Sequence, residues 1–264
     1  MKIPGQRPPR TRAFSLLEML LVAGIIAALS ALLLPVLGAA RRTAWKASST
    51  HSLRTLAVMG SAYLNDHEGE FWKYVDRNPT TSPGGTTWWF GFEASGESSK
   101  PEGERMIDLA RGPLGPYAIA GGGWHTDPAF LAEPGRHKPK FANGNFGFGY
   151  NALLGGTALG VKPLRRKLEF ERPRDLILFA TCAQVNTFQA PASASNPLIE
   201  EFYLIDHNEF TLHFRHGGHA LAAMMDGSLR EFELDPATLD NRMPGARIGR
   251  LAPKGSMLHL TESP

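Results

Sequence analysis

Hydrophobic residues fill the N-terminal part of the chain almost without interruption from position 14 to position 40. Glu18 is the only formally charged residue among these 27 positions, and Arg41 and Arg42 end the apolar run. A helix needs about 20 residues to cross a hydrocarbon layer of about 30 Å. The pattern therefore predicts a membrane-spanning helix over 14–40. It leaves Glu18 to be explained, because a charge at the centre of a bilayer costs about 2.5–3.5 kcal/mol on insertion scales.

After Arg42 the hydrophobic pattern changes from continuous to periodic. Apolar or small residues recur at intervals of three and four, which is typical of a helix with one buried face. This stripe consists of Leu53, Leu56, Ala57, Gly60, Tyr63 and Leu64. We predict one helix of about 50 residues, or about 75 Å at 1.5 Å per residue. Its second part, 41–66, ends near Asn65 and packs on a folded head.

The head is predicted to occupy residues 67–264, and its first part, 74–145, is rich in turn residues. The segment TTWWFGF at 86–92 predicts a short strand, and MIDLARGPLGPY at 106–117 predicts a short helix. Further along the chain, the apolar run 176–181 predicts another strand.

The clearest pattern in the C-terminal part lies at 209–234. Gly217-Gly218 and Asp226-Gly227 have the composition of two-residue hairpin turns, with a short strand at 219–225 between them. The segment therefore predicts a three-stranded antiparallel meander. Together with the long helix, it predicts an α+β fold in which the C-terminal half of the helix packs on a small antiparallel sheet.

The positive charge of the chain is concentrated at its N-terminus. The formal net charge is +3, and residues 1–13 carry four basic side chains and no acidic one. Without those four, 24 of the 28 Lys and Arg remain against 25 Asp and Glu, so the rest of the chain is close to neutral. We interpret 1–13 as a leader that stays in the cytoplasm and directs the head across the membrane. The four basic residues are Lys2, Arg7, Arg10 and Arg12.

The remaining composition disfavours nucleic-acid binding, an internal disulfide and a thiolate-rich metal site. No other basic run is interleaved with aromatic residues, so we expect no nucleic-acid binding. Cys182 is the only cysteine, which excludes an internal disulfide and a thiolate-rich metal site.

The N-terminal segment resembles the processing signal of type IV pilins and type II secretion pseudopilins. The resemblance lies in the basic leader, the step from Ala13 to Phe14, the carboxylate of Glu18 and the mid-helix Pro35. It implies that a prepilin peptidase cleaves between Ala13 and Phe14 and methylates the new amine of Phe14. S-adenosylmethionine is then a cofactor of the peptidase, and this chain needs none. Ala13 departs from the family pattern, which usually has glycine before the cut.

The same resemblance implies a role for Glu18 in assembly. Subunits leave the bacterial inner membrane and bundle their apolar helices, and the Glu18 carboxylate pairs with the N-terminal amine of a neighbouring subunit. An unpaired buried charge is strongly unfavourable, so such pairing selects one register between helices. Pro35 lacks an amide hydrogen and lets the helix bend on extraction. The implied partners are the peptidase, other pilin subunits and inner-membrane lipid.

The C-terminal segment resembles the H-X9-DG signature of one group of pilin-like proteins. Here the motif is His216, nine residues, and then Asp226-Gly227. We interpret its spacing as structural, because the two turns bracket a strand of fixed length. The two resemblances together predict a single-pass subunit with a cytoplasmic N-terminus and a periplasmic head. They imply assembly into a secretion pseudopilus or a type IV pilus-like filament in the periplasm or at the cell surface.

A metal site is the first alternative interpretation of the C-terminal motif. Histidine and aspartate are common zinc ligands, and His213, His216, His219 and Asp226 lie close in sequence. In the predicted meander His216 faces His219, and His213 lies opposite Ala222. Asp226 is seven positions along the strand from His219, or about 23 Å at 3.3 Å per residue. One ion cannot be reached from both ends of such a strand, so we expect no metal.

An enzyme or a binding module is the second alternative. Trp88 and Trp89, with Glu93 and Asp76 nearby, are residue types found in sugar-binding surfaces and glycosidases. Neighbouring strand positions, however, point to opposite faces, and the sequence contains no nucleophile elbow, phosphate loop or HExxH segment. We expect a structural subunit and not an enzyme. A membrane-anchored periplasmic module that binds glycans without polymerising remains open, as does a secreted enzyme cut near Ala40.

Overall fold

The long helix predicted from the sequence is present as α1, Leu16–Asp66, and contains 51 residues. It ends one residue after the predicted end and contains Pro35. The computed structural model describes residues 15–77, 84–120, 126–136, 139–144, 147–155, 176–206 and 208–250. The chain divides into two compact units, Met1–Ala44 and Trp45–Pro264, and the boundary lies within α1.

In the first unit, the described part of α1 presents apolar side chains in all directions. The exposed fraction of its large apolar side chains ranges from 47% at Val22 to 81% at Leu16. A helix that is apolar all round is stable only when hydrocarbon or other protein surrounds it. By length and composition, α1 is able to cross a membrane.

The second unit combines the rest of α1 with short helices and strands. The helices are α2 (Gly115–Ala120) and α3 (Pro128–Leu131). The strands are β1 (Val75–Asp76), β2 (Gly85–Trp88), β3 (Gly91–Ala94), β4 (Phe148–Asn151), β5 (Ile177–Thr181), β6 (Gln184–Asn186), β7 (Leu198–Glu200), β8 (Leu204–Ile205), β9 (Leu212–His213), β10 (His219–Met224), β11 (Leu229–Glu233) and β12 (Ile248–Gly249). The α+β fold class predicted from the sequence is confirmed.

The main sheet has five strands in the order β11-β10-β5-β4-β8. Its pairings are antiparallel except that between β4 and β8, which is parallel. Strands β1, β2 and β3 form a second antiparallel sheet, and β6-β7 and β9-β12 form two-stranded ladders.

The central strands of the main sheet are buried on both faces. Alternate residues of a strand point to opposite sides, so a continuous apolar run fills two cores at once. From β10 and the residue after it, Leu221, Ala223 and Met225 join the larger core, and Ala220, Ala222 and Met224 join the smaller one.

The C-terminal half of α1 packs on this sheet through the predicted stripe. Leu53 is fully buried in the larger core, and Gly60 lies against β5 and Trp72. A Cβ atom added at Gly60 would lie 2.9 Å from Cη2 of Trp72 and 3.1 Å from Cδ2 of Leu178. Because glycine has no side chain, the helix backbone is able to approach the sheet closely at this position.

The predicted three-stranded meander over 209–234 is wrong in its first strand. Strands β10 and β11 form the expected hairpin, but the other neighbour of β10 is β5. His213, expected opposite Ala222, instead pairs with Ile248 of β12. Only an isolated bridge joins His216 to His219 across the first turn. Strand β5 offers a longer apolar partner than the two residues of β9.

Two shorter sequence predictions are also corrected. TTWWFGF forms a hairpin, in which Trp89 and Phe90 make the turn between β2 and β3 and are fully buried. The segment 106–117 forms a 3-10 turn at Leu109–Arg111, capped by the Asp108 side chain, which accepts from the Ala110 amide at 3.1 Å. Helix α2 begins only at Gly115, so the segment contains the 3-10 turn and the start of α2 where one short helix was predicted.

Candidate functional site

The start of α1 holds Glu18 in a reciprocal capping arrangement. The backbone N–H of Ser15 donates to Oε2 of Glu18 at 2.8 Å, and the N–H of Glu18 donates to Oγ of Ser15 at 3.2 Å. This capping box satisfies two amide groups that the first helical turn leaves without partners. The carboxylate also lies near the positive end of the helix dipole.

The capping role of Glu18 was readable from the sequence and was missed. The tetrapeptide SLLE at 15–18 has the S-x-x-E pattern that opens many helices. Our sequence interpretation treated Glu18 only as a charge awaiting a partner from another subunit. The structure supplies an intrachain partner, and the carboxylate remains at the exposed start of the helix.

The other residues of the N-terminal signal are placed as follows. Pro35 lies inside α1, and the helix continues on both sides of it. Ala13 and Phe14, the predicted processing residues, lie outside the described residues.

The C-terminal motif marks the two ends of β10. At the first end, the N–H of His216 donates to the carbonyl of His219 at 3.1 Å, and the reverse bond is 3.2 Å. At the other end, Oδ1 of Asp226 accepts from the N–H of Ser228 at 2.9 Å. Gly227 has a φ of +83°, a left-handed conformation that glycine adopts without strain. The nine intervening residues of the motif thus contain the first turn and the whole of β10.

His216 also belongs to a buried group of polar side chains that we name the polar junction: Ser49, Asp127, His213, Arg215 and His216. Asp127 and the side chain of Arg215 are fully buried. Oδ1 of Asp127 accepts from Oγ of Ser49 at 2.8 Å, and Oδ2 accepts from Nε of Arg215 at 3.1 Å. The junction therefore joins α1 and α3 to the segment between β9 and β10.

Asp127 has a second task, because it is the N-cap of α3. Its Oδ1 accepts from the N–H groups of Ala129 and Phe130 at 2.9 Å and 3.4 Å. Burial alone raises the pKa of Asp127, but the Arg215 guanidinium and the Ser49 hydroxyl outweigh burial and hold this pKa below its usual value. The carboxylate is thus an ionised anchor with each oxygen satisfied.

Arg215 is held from several directions. In addition to Asp127, its guanidinium donates to the carbonyl of Gly147 at 2.6 Å and lies 5.5 Å from the ring centre of Phe130. Its Nη1 lies 3.0 Å from Nδ1 of His213. Because burial and the neighbouring guanidinium both disfavour a second positive charge, the pKa of His213 is lowered and that of His216 falls to about 4.

The sequence contained only part of the signal for this junction. Asp127 before Pro128 is a recognisable helix start, since aspartate caps helices and proline suits their first turn. Arg215, however, lies 88 residues from Asp127. Local pattern gives no indication that these two residues meet.

The residues of the metal-site alternative are used differently from one another. His213 faces Arg215, whereas Asp226 lies at the other end of β10 from His219 and closes a turn. Within the described ranges, no group of three or more His, Cys, Asp or Glu side chains is placed to hold a metal ion.

Among the residues of the sugar-binding alternative, Trp88 and Glu93 are in contact, whereas Trp89 and Asp76 have other partners. Trp89 is fully buried, and its Nε1 donates to the carbonyl of Tyr203 at 2.9 Å. Glu93 is buried and accepts from Nε1 of Trp88 at 3.0 Å and from Nε of Arg105 at 2.9 Å. Asp76 forms a surface pair with Lys73 at 3.0 Å. Glu93 therefore serves as a buried anchor for the second sheet.

Comparison with known proteins adds no family assignment. No protein-family model matches the chain, and neither the curated proteins nor the solved structures contain a match to it.

Proposed function

We propose that this protein is a pilin-like structural subunit that is inserted in the bacterial inner membrane and assembles through α1 into a pseudopilus or type IV pilus-like filament. The observation that carries the proposal is the exposed apolar surface of α1 in the first unit, together with a single carboxylate at its start. The N-terminal resemblance supports the same role. The role is structural and not catalytic.

The exposure of α1 supports two successive environments for this segment. Burial of apolar surface contributes about 25 cal/mol per Å², so large side chains that are half to four-fifths exposed need a surrounding partner. Hydrocarbon provides that partner while the subunit is stored in the membrane. Neighbouring α1 helices provide it after the subunit leaves.

The position of Glu18 supports a specific contact during assembly. Glu18 follows the proposed new amine at Phe14 by four positions in sequence, and its side chain is exposed at the start of α1. A carboxylate oxygen accepts several hydrogen bonds, so Glu18 is able to retain the Ser15 amide and accept a neighbour's amine. An ion pair between helices favours the one axial offset that brings both charges together.

The first test is the mass of the mature N-terminus after expression with a prepilin peptidase. We expect a chain that begins at Phe14 and carries one additional methyl group. A chain that begins near Arg41 would contradict the proposal and favour a secreted protein. A chain that retains Met1 in the presence of active peptidase would show that Ala13 prevents processing.

The second test separates a filament subunit from a simple membrane anchor. Glu18→Gln keeps the size of the side chain and removes its charge, so we expect normal membrane insertion but at least a tenfold loss of cross-linkable multimers. Ser30→Ala is the matched control, because it changes a polar but uncharged side chain in the same segment. This variant should assemble normally. Normal assembly of Glu18→Gln would exclude the ion pair, and a monomeric wild-type chain would favour the anchored binding module.

A further inference from the structure

The hydrogen bond between Arg215 and His213 determines the protonation state of the histidine. A guanidinium group only donates hydrogen bonds. Nδ1 of His213, 3.0 Å from Nη1 of Arg215, must therefore be the acceptor and carry no proton. A neutral imidazole then has its proton on Nε2, which lies 3.8 Å from Oε1 of Glu133. His213 is fully buried, so solvent cannot substitute for these partners.

The two buried histidines lie beside a positive charge, the guanidinium of Arg215. Arg215 belongs to the same segment as the two histidines. Asp127, at the start of α3, contacts Arg215, and Glu133, just after the end of α3, lies near His213. From α1, Lys46 contributes a further positive charge and is paired with Glu231 of β11 at 2.7 Å. A proton on either ring adds a second positive charge beside this guanidinium in a buried site, and for His213 the nearby Glu133 carboxylate offsets that cost only in part, because the pKa of His213 is still lowered.

We propose that the polar junction is an acid-sensitive latch that holds α1 to α3 and to the segment between β9 and β10. Protonation of Nδ1 of His213 replaces the acceptor with a donor, breaks the bond from Arg215 and places two cations side by side. A proton on His216 adds to the same repulsion. The Arg215 segment then separates from Asp127, and the hydrogen bond from Ser49 to Asp127 is lost with it. This inference does not depend on the proposed function in assembly.

The direction of the pH effect follows from linkage. Both histidines have a lowered pKa in the folded chain, mainly because of burial; the Arg215 charge also lowers both, Glu133 opposes the shift at His213, and the pKa of His216 falls to about 4. An unfolded histidine titrates near pH 6.5. Between about pH 6.5 and 4 the open or unfolded chain binds more protons, so stability decreases as the pH falls through this window. Asp127, whose pKa lies below its usual value, stays ionised there.

The test is hydrogen–deuterium exchange of the full chain in detergent micelles at pH 7, 6 and 5, corrected for the intrinsic pH dependence of exchange. For the wild type we expect exchange in 45–53 and 126–131 to rise at least tenfold between pH 7 and 5. The double variant His213→Asn/His216→Asn retains neutral polar side chains that do not titrate, and its exchange should change less than twofold. The single variants should show intermediate rises.

His51→Asn is the matched control, because His51 lies on the exposed outer face of α1. His51→Asn should show the wild-type acid response. The double variant keeps every histidine other than His213 and His216, so the others cannot explain a difference between it and the wild type. An acid response in the double variant equal to that of the wild type would overturn the latch. So would unchanged protection of the wild type between pH 7 and 5.

A measurement on the wild-type chain keeps the latch testable if the double variant does not fold. Nitrogen chemical shifts of His213 at pH 7 should show an unprotonated Nδ1 and a protonated Nε2. A proton on Nδ1 at pH 7 would contradict the Arg215 contact and the latch with it.

Discussion

Asp127 shows how one buried residue stabilises several elements. Its two carboxylate oxygens satisfy the first amides of α3, the hydroxyl of Ser49 and the guanidinium of Arg215. Burying an ion pair is roughly neutral compared with an apolar contact, but removing one partner leaves an uncompensated charge. Removing either side chain of the pair is therefore more destabilising than removing one partner of a surface salt bridge.

At this scale we predict that Asp127→Asn destabilises the chain by about 3–5 kcal/mol, because it leaves the Arg215 charge buried without its partner. The free energy of unfolding from urea titration, followed by tryptophan fluorescence, measures the effect. Asp226→Asn is the control, since its amide oxygen still accepts from the N–H of Ser228, and we expect a change within about 0.5 kcal/mol. Equal effects of the two substitutions would contradict the role of the buried pair.

At the scale of elements, α1 has two kinds of surface along one backbone. Residues 16–40 are apolar apart from Glu18 and Ser30 and are almost all exposed, whereas the later part of α1 buries one face on the main sheet. Glycines on the two parts differ accordingly. Gly60 lies against Trp72, whose ring is stacked on Tyr150, and nothing lies within 4 Å of a Cβ atom added at Gly24.

We predict that Gly60→Ala lowers the free energy of unfolding although alanine is the better helix former. Alanine gains about 0.8–1.0 kcal/mol of helix propensity, but the new methyl group overpacks the contact with Trp72 at a cost of about 1–3 kcal/mol. Thermal unfolding measured by circular dichroism tests the sign. Gly24→Ala, the control on the same helix, should leave the transition unchanged, and a stabilised Gly60→Ala would show that the core yields at this point.

At the scale of the whole molecule, the core and the exposed apolar surface belong to different units. Within the described part of the chain, the residues of the larger and the smaller core all lie in the second unit. Leu53 is the first of them in sequence. The second unit therefore has its own source of stability.

We predict that a chain beginning at Trp45 is soluble without detergent and unfolds in one cooperative transition. The full chain should need detergent or lipid, because residues 16–37 expose their large apolar side chains. Size-exclusion chromatography and thermal unfolding of the two chains in the same buffer provide the comparison. An aggregated or unfolded shorter chain would show that the second unit requires the first.

Sequence reasoning succeeded where the controlling interactions are local. Helix α1 follows from apolar periodicity, and β10 follows from a short apolar run between two glycine-containing turns. The capping box of Ser15 and Glu18 is equally local and was available in the sequence. It was missed because the carboxylate was considered only as a charge in hydrocarbon.

The sequence by itself determined the long helix, its apolar surface and the length of β10, because backbone propensity and side-chain period act over a few neighbouring residues. Only the tertiary structure decided that β10 pairs with β5 rather than β9, and that Arg215 reaches Asp127 across 88 residues. Such choices depend on which distant surfaces bury the most apolar area and leave the fewest polar groups without partners. The order of residues along the chain does not show which distant surfaces pair, so the polar junction around His213 and His216 is evident only in the folded molecule.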